Sequence, residues 1–439
     1  MTARVHDGRR LDVRLARAQA AGRLPSVVGA LVRDGAVAWW GAAGEASTEP
    51  LDRQYRIGSI TKTVTAVLVL QLVRDGRLGL DHPASAVLDD PALRGSLLGS
   101  TTVRGLLSHH GGLPSEPVGD WWERSDGVTW DELVEANSAA VPRFPARQQF
   151  HYSNLSYALL GEIVARLHGR PWWDCARDLV LRPLGMTRTS YLPEAPSAPG
   201  LSVHPYLGTL SPEPATDTRA MAPAGQLWST ATDLASYAAF LVDGHPDVLG
   251  LDELSLAAHP QSGDRDDALG YAHGLGFMLN AGGSGMVVGH TGSMPGFLAS
   301  CLVDRERRTG AVLLANATTG MDASGLAVEL LELLEELEPT MPTPWVPTVS
   351  VPDALLGVPG MWHWGNTAHV FELVDGRLVA RLLDGTEKHV FEVREGRVVG
   401  VSGYHAGEEL HVLRDAHGTV DHLEVATFVL TRSPSGDAR

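Results

Sequence analysis

Ser59-Ile60-Thr61-Lys62 places a hydroxyl and an amine three residues apart, at the start of an apolar run that reads as helix to about Arg74. At that spacing the two side chains share one helix face. A serine hydroxyl becomes a nucleophile when an adjacent base takes its proton. Lysine can serve as that base once burial and neighbouring positive potential lower its titration from about 10.4; arginine cannot. The chain makes the distinction visible, because Lys62 and Lys388 are its only lysines among 35 Lys and Arg residues. The first helical turn adds partial positive charge, which favours an alkoxide at Ser59 and a neutral amine at Lys62.

Two later stretches carry groups that can complete such a centre. Tyr152-Ser153-Asn154 lies just before a second helical run. A tyrosine hydroxyl can relay a proton between serine and a leaving group, and Asn154 has the donor and acceptor needed to hold Lys62 and a substrate amide together. The same residues also suit a plain helix cap with Tyr152 as packing. His290-Thr291-Gly292-Ser293 ends a strand-like run. A glycine there admits a ligand close to the backbone, and the N–H of Ser293 can join that of Ser59 as an oxyanion hole. His290 can bind a substrate carboxylate or polarise Tyr152. Trp121, in the pair Trp121-Trp122, and Trp228 are placed to line a cleft.

These groups lie far apart in the chain, so the elements must gather them. A helix near Arg10–Ala21 precedes two strands, "SVVGALVRD" and "AVAWWGAAG", joined at Asp34-Gly35, a strong hairpin signal. Residues of about 80 to 250 read as helices and long loops. "YAHGLGFML", "GMVVGH", "FLASCLVDRE" and "TGAVLLANA" then read as strands, and a helix covers about Met321–Leu337. Strands at both ends predict one α/β (α+β) unit over residues 1–338: an antiparallel sheet flanked by helices, with an all-helical subdomain inserted. Residues 339–353 are too rich in proline for helix or central strand and read as a linker. From 354 to 433 the period becomes two, with turns at Asp375-Gly376, Asp384-Gly385 and Glu395-Gly396, which predicts a small antiparallel barrel of lipocalin-like form.

The order Ser-x-x-Lys, Tyr-x-Asn, His-Thr-Gly resembles the serine β-lactamase and penicillin-binding (DD-peptidase) superfamily, in particular its class C-related hydrolases and family VIII esterases. "LLSHHGGLP" and "PAGQLWSTATDLASYAAFL" look like two further segments of that group. The resemblance spans about residues 10 to 337. It implies a β-lactamase/transpeptidase-like fold with the site between a helical and an α/β part. It also implies Ser59 as acyl-enzyme nucleophile, Lys62 and Tyr152 sharing base and acid roles, Asn154 positioning them, and an oxyanion hole from the N–H groups of Ser59 and Ser293. The chain departs from the group at His290, where β-lactamases and DD-peptidases usually carry lysine, and this argues against efficient β-lactam hydrolysis.

The expected activity is therefore hydrolysis of a small-molecule or peptide ester or amide, with no metal or organic cofactor. Thioesterase-type cyclisation of a peptide, β-lactamase activity and a non-catalytic scaffold are the alternatives. A net charge of −17 argues against a nucleic-acid partner. The histidines lack zinc spacing, no G-x-S-x-G occurs, and no apolar run reaches the roughly 20 residues that span a bilayer. The opening residues lack a secretory signal, so a cytoplasmic location is expected. Cys175 and Cys301 read as core residues.

Overall fold

The computed structural model describes residues 8–45, 50–263, 271–282, 285–341 and 344–434. Two compact units emerge, Met1–Thr340 and Met341–Arg439. Pro342 and Thr343 of the proline-rich stretch lie outside the described residues.

In the first unit, α1 (Arg9–Gly22) leads into β1 (Ser26–Arg33) and β2 (Ala36–Gly44). Asp34 and Gly35 both have positive φ, the conformation a two-residue hairpin of this twist demands. Six further strands follow late in the chain: β3 (Ser262–Gly263), β4 (Tyr271–His273), β5 (Met278–Gly282), β6 (Gly285–Met294), β7 (Phe297–Asp304) and β8 (Thr309–Ala315). They form one sheet in the order β2-β1-β8-β7-β6-β5-β4-β3, with antiparallel pairing throughout. "YAHGLGFML" is thus two strands and not one. Gly276 takes positive φ in the turn between them, and β4 folds back on β5.

The apolar run of β1 is continuous because both of its faces are covered. Val27 and Leu31 pack with Leu11 and Leu15 of α1 and with Leu326 and Leu330 of α5 (Ala323–Leu337). Val28, Ala30 and Val32 belong to the larger core on the other face, which includes Leu234 and Leu241 from α4 (Ala231–Asp243). That core continues into the helical middle through α2 (Ile60–Arg74) and α3 (Asn154–His168). The middle also holds small ribbons, Leu201–Val203 with Leu210–Pro212 and Tyr55–Arg56 with Trp228–Ser229. Every residue of α2 from Ile60 to Leu72 is buried, so this helix is enclosed on all sides and has no solvent face over that stretch.

The second unit is a sheet of eight antiparallel strands: β9 (Gly360–Trp364), β10 (Thr367–Val374), β11 (Arg377–Leu382), β12 (Glu387–Arg394), β13 (Arg397–Gly403), β14 (Leu410–Arg414), β15 (Val420–Val425) and β16 (Phe428–Thr431). Their order is β13-β12-β11-β10-β9-β16-β15-β14. The two ends of that series meet where the Gly400 N–H donates to Glu408 O at 2.8 Å and the Gly407 N–H to Gly400 O at 2.8 Å, which nearly closes a barrel. No helix among the described residues is long and apolar enough to cross a membrane.

Candidate active site

Ser59 caps the N-terminus of α2 and alone escapes burial in the run from Gln54 to Leu72. One turn on, Lys62 is fully buried, with Nζ 3.0 Å from Ser59 Oγ and donating to Ala224 O at 2.7 Å. Burial lowers the amine from 10.5 to about 7, and the carboxylates of Glu116 and Glu123 oppose the shift without cancelling it. The desolvation of a charge on a fully buried helix outweighs two acids acting from the site's rim. A substantial fraction of Lys62 is therefore free base near neutral pH, which arginine could not supply.

Tyr152 arrives on the segment that starts α3. Its hydroxyl hydrogen-bonds the Ser59 side chain, and burial raises its pKa well above the ordinary phenol. The Lys62 ammonium group lies 5.1 Å from the Tyr152 ring centroid. His109 fixes this segment: its ring stacks on Tyr152 at 4.2 Å, its Nδ1 accepts from the Ser153 N–H at 3.1 Å, and its carbonyl accepts from the His151 N–H. Ser153 is the helix cap, accepting from the Ser156 N–H at 3.2 Å. Cap and chemistry thus share one tripeptide, with Tyr152 turned to Ser59 and Ser153 to the helix.

Asn154 is placed differently from expectation. Its Nδ2 donates to Glu116 Oε1 at 2.7 Å, and Lys62 is steadied by the Ala224 carbonyl instead. Glu116 is exposed and is also held by Trp122 Nε1–H at 2.7 Å. Glu123, half-buried, accepts from Trp121 Nε1–H at 2.9 Å; burial raises its carboxyl pKa, and Glu116 adds to the rise. Trp121 is exposed under the Arg124 guanidinium. Trp228 lines no cleft: it is buried, in edge contact with Phe297 at 5.0 Å, and supports the strand that leads to Ser59.

The end of β6 is brought against Ser59 by two glycines. A Cβ on Gly292 would stand 1.9 Å from Ile57 O, and one on Gly58, whose φ is +52°, would stand 2.6 Å from Ser293 N. Only bare backbone fits so close. Pairing of β6 with β5 ends at Gly289–Met278, and the Thr291 N–H then points out of that edge toward Met278 Sδ. By strand alternation the Ser293 N–H points the same way. The Ser59 N–H belongs to the first helical turn, whose donors the helix itself cannot satisfy.

His290 is buried rather than presented to solvent. Burial, then His273 and Lys62, hold it well below the ordinary histidine value, against the pull of the Thr291 carbonyl 2.5 Å from its Nδ1. Burial likewise lowers His109 well below and His273 to about 4. The three imidazoles pack with centroids 4.6 Å (His109–His273) and 5.9 Å (His273–His290) apart. The site is therefore backed by neutral rings, and His290 offers no fixed cation. Among the described residues no group of three or more His, Cys, Asp or Glu side chains is arranged to hold a metal ion.

Glu116, Glu123, His109, His273 and the Ala224 carbonyl join the site although no motif in the sequence singles them out. The nearest signal was the pair of acids that brackets Trp121-Trp122.

The family described as Beta-lactamase matches residues 11–335, and Domain of unknown function (DUF7586) matches 351–432. Penicillin-binding protein 4 of Amycolatopsis lactamdurans is 31% identical over 56% of this chain and 65% of its own length. The chain spans about half to two thirds of the length of the first curated relatives it matches, 49% and 65%. A D-stereospecific amidohydrolase from Streptomyces sp. superposes with TM-score 0.63 and 27% identity over 76% of this chain and all (100%) of its own. D-amino acid amidase from Ochrobactrum anthropi SV3, complexed with L-phenylalanine amide, gives TM-score 0.61 and 26% identity over 75% of this chain and 98% of its own.

Proposed function

The chain belongs to the β-lactamase family, and we propose that it is a serine hydrolase which cleaves small amides or esters bearing a free amine. One observation carries the reading: a buried lysine amine, brought to about 7, lies 3.0 Å from a half-exposed serine hydroxyl. Lys62 as free base, acting with Tyr152, takes the Ser59 proton as Oγ attacks the substrate carbonyl. The N–H groups of Ser59 and Ser293 receive the oxyanion. Tyr152, whose high pKa keeps it protonated, returns a proton to the leaving amine or alcohol. Water then attacks the acyl-Ser59 ester and Ser59 is restored.

The choice of an amine follows from charge. The ring in the place of the usual cation is neutral, whereas Glu116 and Glu123 stand close enough to act on Lys62. Arg56 is buried, and its NH2 group is taken by Thr216 O and Gln226 Oε1. This balance favours a substrate ammonium over a carboxylate, and the amide-cleaving relatives point the same way. Turnover of D- and L-phenylalanine amide should exceed that of their N-acetyl counterparts and of benzylpenicillin, with an acyl adduct in intact-mass spectra that Ser59→Ala abolishes. Faster turnover of the N-acetyl compounds would sink the ammonium reading; an adduct persisting in Ser59→Ala would sink the nucleophile. We place the reaction in the cytoplasm, since two buried free cysteines suit a reducing compartment; detection of the protein in the cell-envelope fraction would overturn that placement.

A further inference from the structure

The barrel of the second unit is filled at one end and hollow at the other. At the filled end Leu355, Val358, Trp362, Leu378 and Leu423 pack together. Trp362 donates from Nε1 to Val358 O at 2.6 Å, and the Arg432 guanidinium lies 3.7 Å over its ring. Eight-stranded barrels enclose an interior that is either filled by their own side chains or holds one small ligand. Here the interior divides between the two.

The hollow end is a cavity of about 530 Å³, within the roughly 300–1,000 Å³ of small-molecule sites. Phe371, Phe391 and Leu430 belong to both the core and its wall. Phe428 anchors an aromatic cluster at the wall, with ring centroids 5.3 Å from Trp364, 5.8 Å from Tyr404 and 5.2 Å from His405. Trp364 and Tyr404 are large rings left exposed to solvent beside an apolar chamber. Leaving so much apolar surface unfilled costs stability that an occupant recovers.

The polar part of the wall is equally specific. It comprises Thr367, His369, His389, His405 and Lys388, with no acid among the lining residues. His389 and His405 lie 4.5 Å apart by centroid, and His369 stacks toward His389 at 6.5 Å. Burial keeps all three below the ordinary histidine value, His389 at about 4, so they offer hydrogen bonds rather than charge. The one fixed cation is Lys388, the chain's second lysine, at which the motifs of the first unit give no role. An apolar chamber with the exposed Lys388 on its wall and neutral imidazole partners is matched to a ligand with a hydrocarbon body and one negative charge held at the rim.

We propose that the C-terminal barrel binds a small hydrophobic carboxylate, its hydrocarbon among Phe391, Phe428 and Leu382 and its carboxylate at Lys388 and the imidazoles. Nothing in this depends on the hydrolytic reading of Ser59.

The test is calorimetric titration of the full-length protein with decanoate, 4-phenylbutyrate and the uncharged decanol. Binding of at least one acid is expected, unchanged in Ser59→Ala and abolished in Leu382→Trp, which fills the chamber. Thr367→Trp obstructs it from the exposed rim and guards against a folding defect in the first variant. Lys388→Gln should weaken the acid about tenfold or more, the loss of a charge-assisted contact, and leave decanol unchanged. The proposal is overturned if neither acid binds, if binding survives both tryptophan variants, or if Lys388→Gln leaves the acid's affinity intact.

Discussion

Lys62→Met should abolish acylation and at the same time stabilise the protein at neutral pH, by an amount that depends on pH in a defined sense. The unfolded chain protonates Lys62 with the ordinary value of 10.5, and the folded protein with about 7. Between these values the unfolded state holds a proton that the folded state lacks. Raising the pH therefore favours folding through this window, and the full cost of burying the lysine is felt below about pH 7. The separation of about 3.5 pH units corresponds to about 5 kcal/mol, approached with a slope of up to about 1.4 kcal/mol per pH unit. Methionine keeps an unbranched apolar stem and removes the titration. It also forfeits the contacts to Ala224 O and Ser59 Oγ, about 1 kcal/mol each. A net gain of about 2–3 kcal/mol remains at pH 6.5, shrinking to nothing or reversing near pH 10. Urea unfolding of both proteins at pH 6.5, 8 and 9.5 reads the difference. A gap that stays constant, or widens as the pH rises, refutes the placement of a largely neutral amine at Lys62.

Three further outcomes follow from the same geometry. For an uncharged ester, kcat/KM should rise with pH on a limb centred near 7; Glu123→Gln should move that limb to lower pH, since the carboxylate raises Lys62, and a move to higher pH contradicts the assignment. Lys62→Arg keeps the charge but not the base, so a phosphonate or p-nitrophenyl ester should leave Ser59 unlabelled, and an active variant removes Lys62 from the base role. Gly292→Ala drives a Cβ to 1.9 Å from Ile57 O and parts β6 from the turn before α2; kcat should fall by about 10²–10³, the scale of one lost oxyanion donor, and near wild-type kcat would disprove that arrangement.

The parts of the site that a sequence displays are those set by short spacing. Ser59 and Lys62 are one helical turn apart, so local geometry alone puts them together. The strand that carries Gly292 and Ser293 was visible from its apolar period, and the hairpin at Asp34-Gly35 from its turn chemistry. Glu116 and Glu123 were invisible for the opposite reason. They sit on loops, where no period constrains direction, and only the fold carries them toward a helix that begins near residue 60. Trp228 misled because its residue type suits a cleft as well as a core, and pairing of Arg56 with Trp228 decided for the core. His290 shows a further limit. The residue type was evident, but its charge depends on burial beside His273 and Lys62, which is a property of three distant segments meeting.

That charge state links the lysine base to the substrate proposed above. A lysine base needs an environment that penalises positive charge, and α2 provides it by being buried on every side. A second fixed ammonium at position 290 would depress Lys62 further while attracting a substrate carboxylate. A neutral histidine does neither, and Lys62 keeps a value near 7. Glu116 and Glu123 act in the opposite direction on both counts: they raise Lys62, favouring its charged form, and supply the field an ammonium would meet. A neutral ring at the end of β6 and the acids Glu116 and Glu123 thus act together on Lys62 and on the field at the site. On the proposed reading, the arrangement that tunes the lysine base also favours a positively charged substrate.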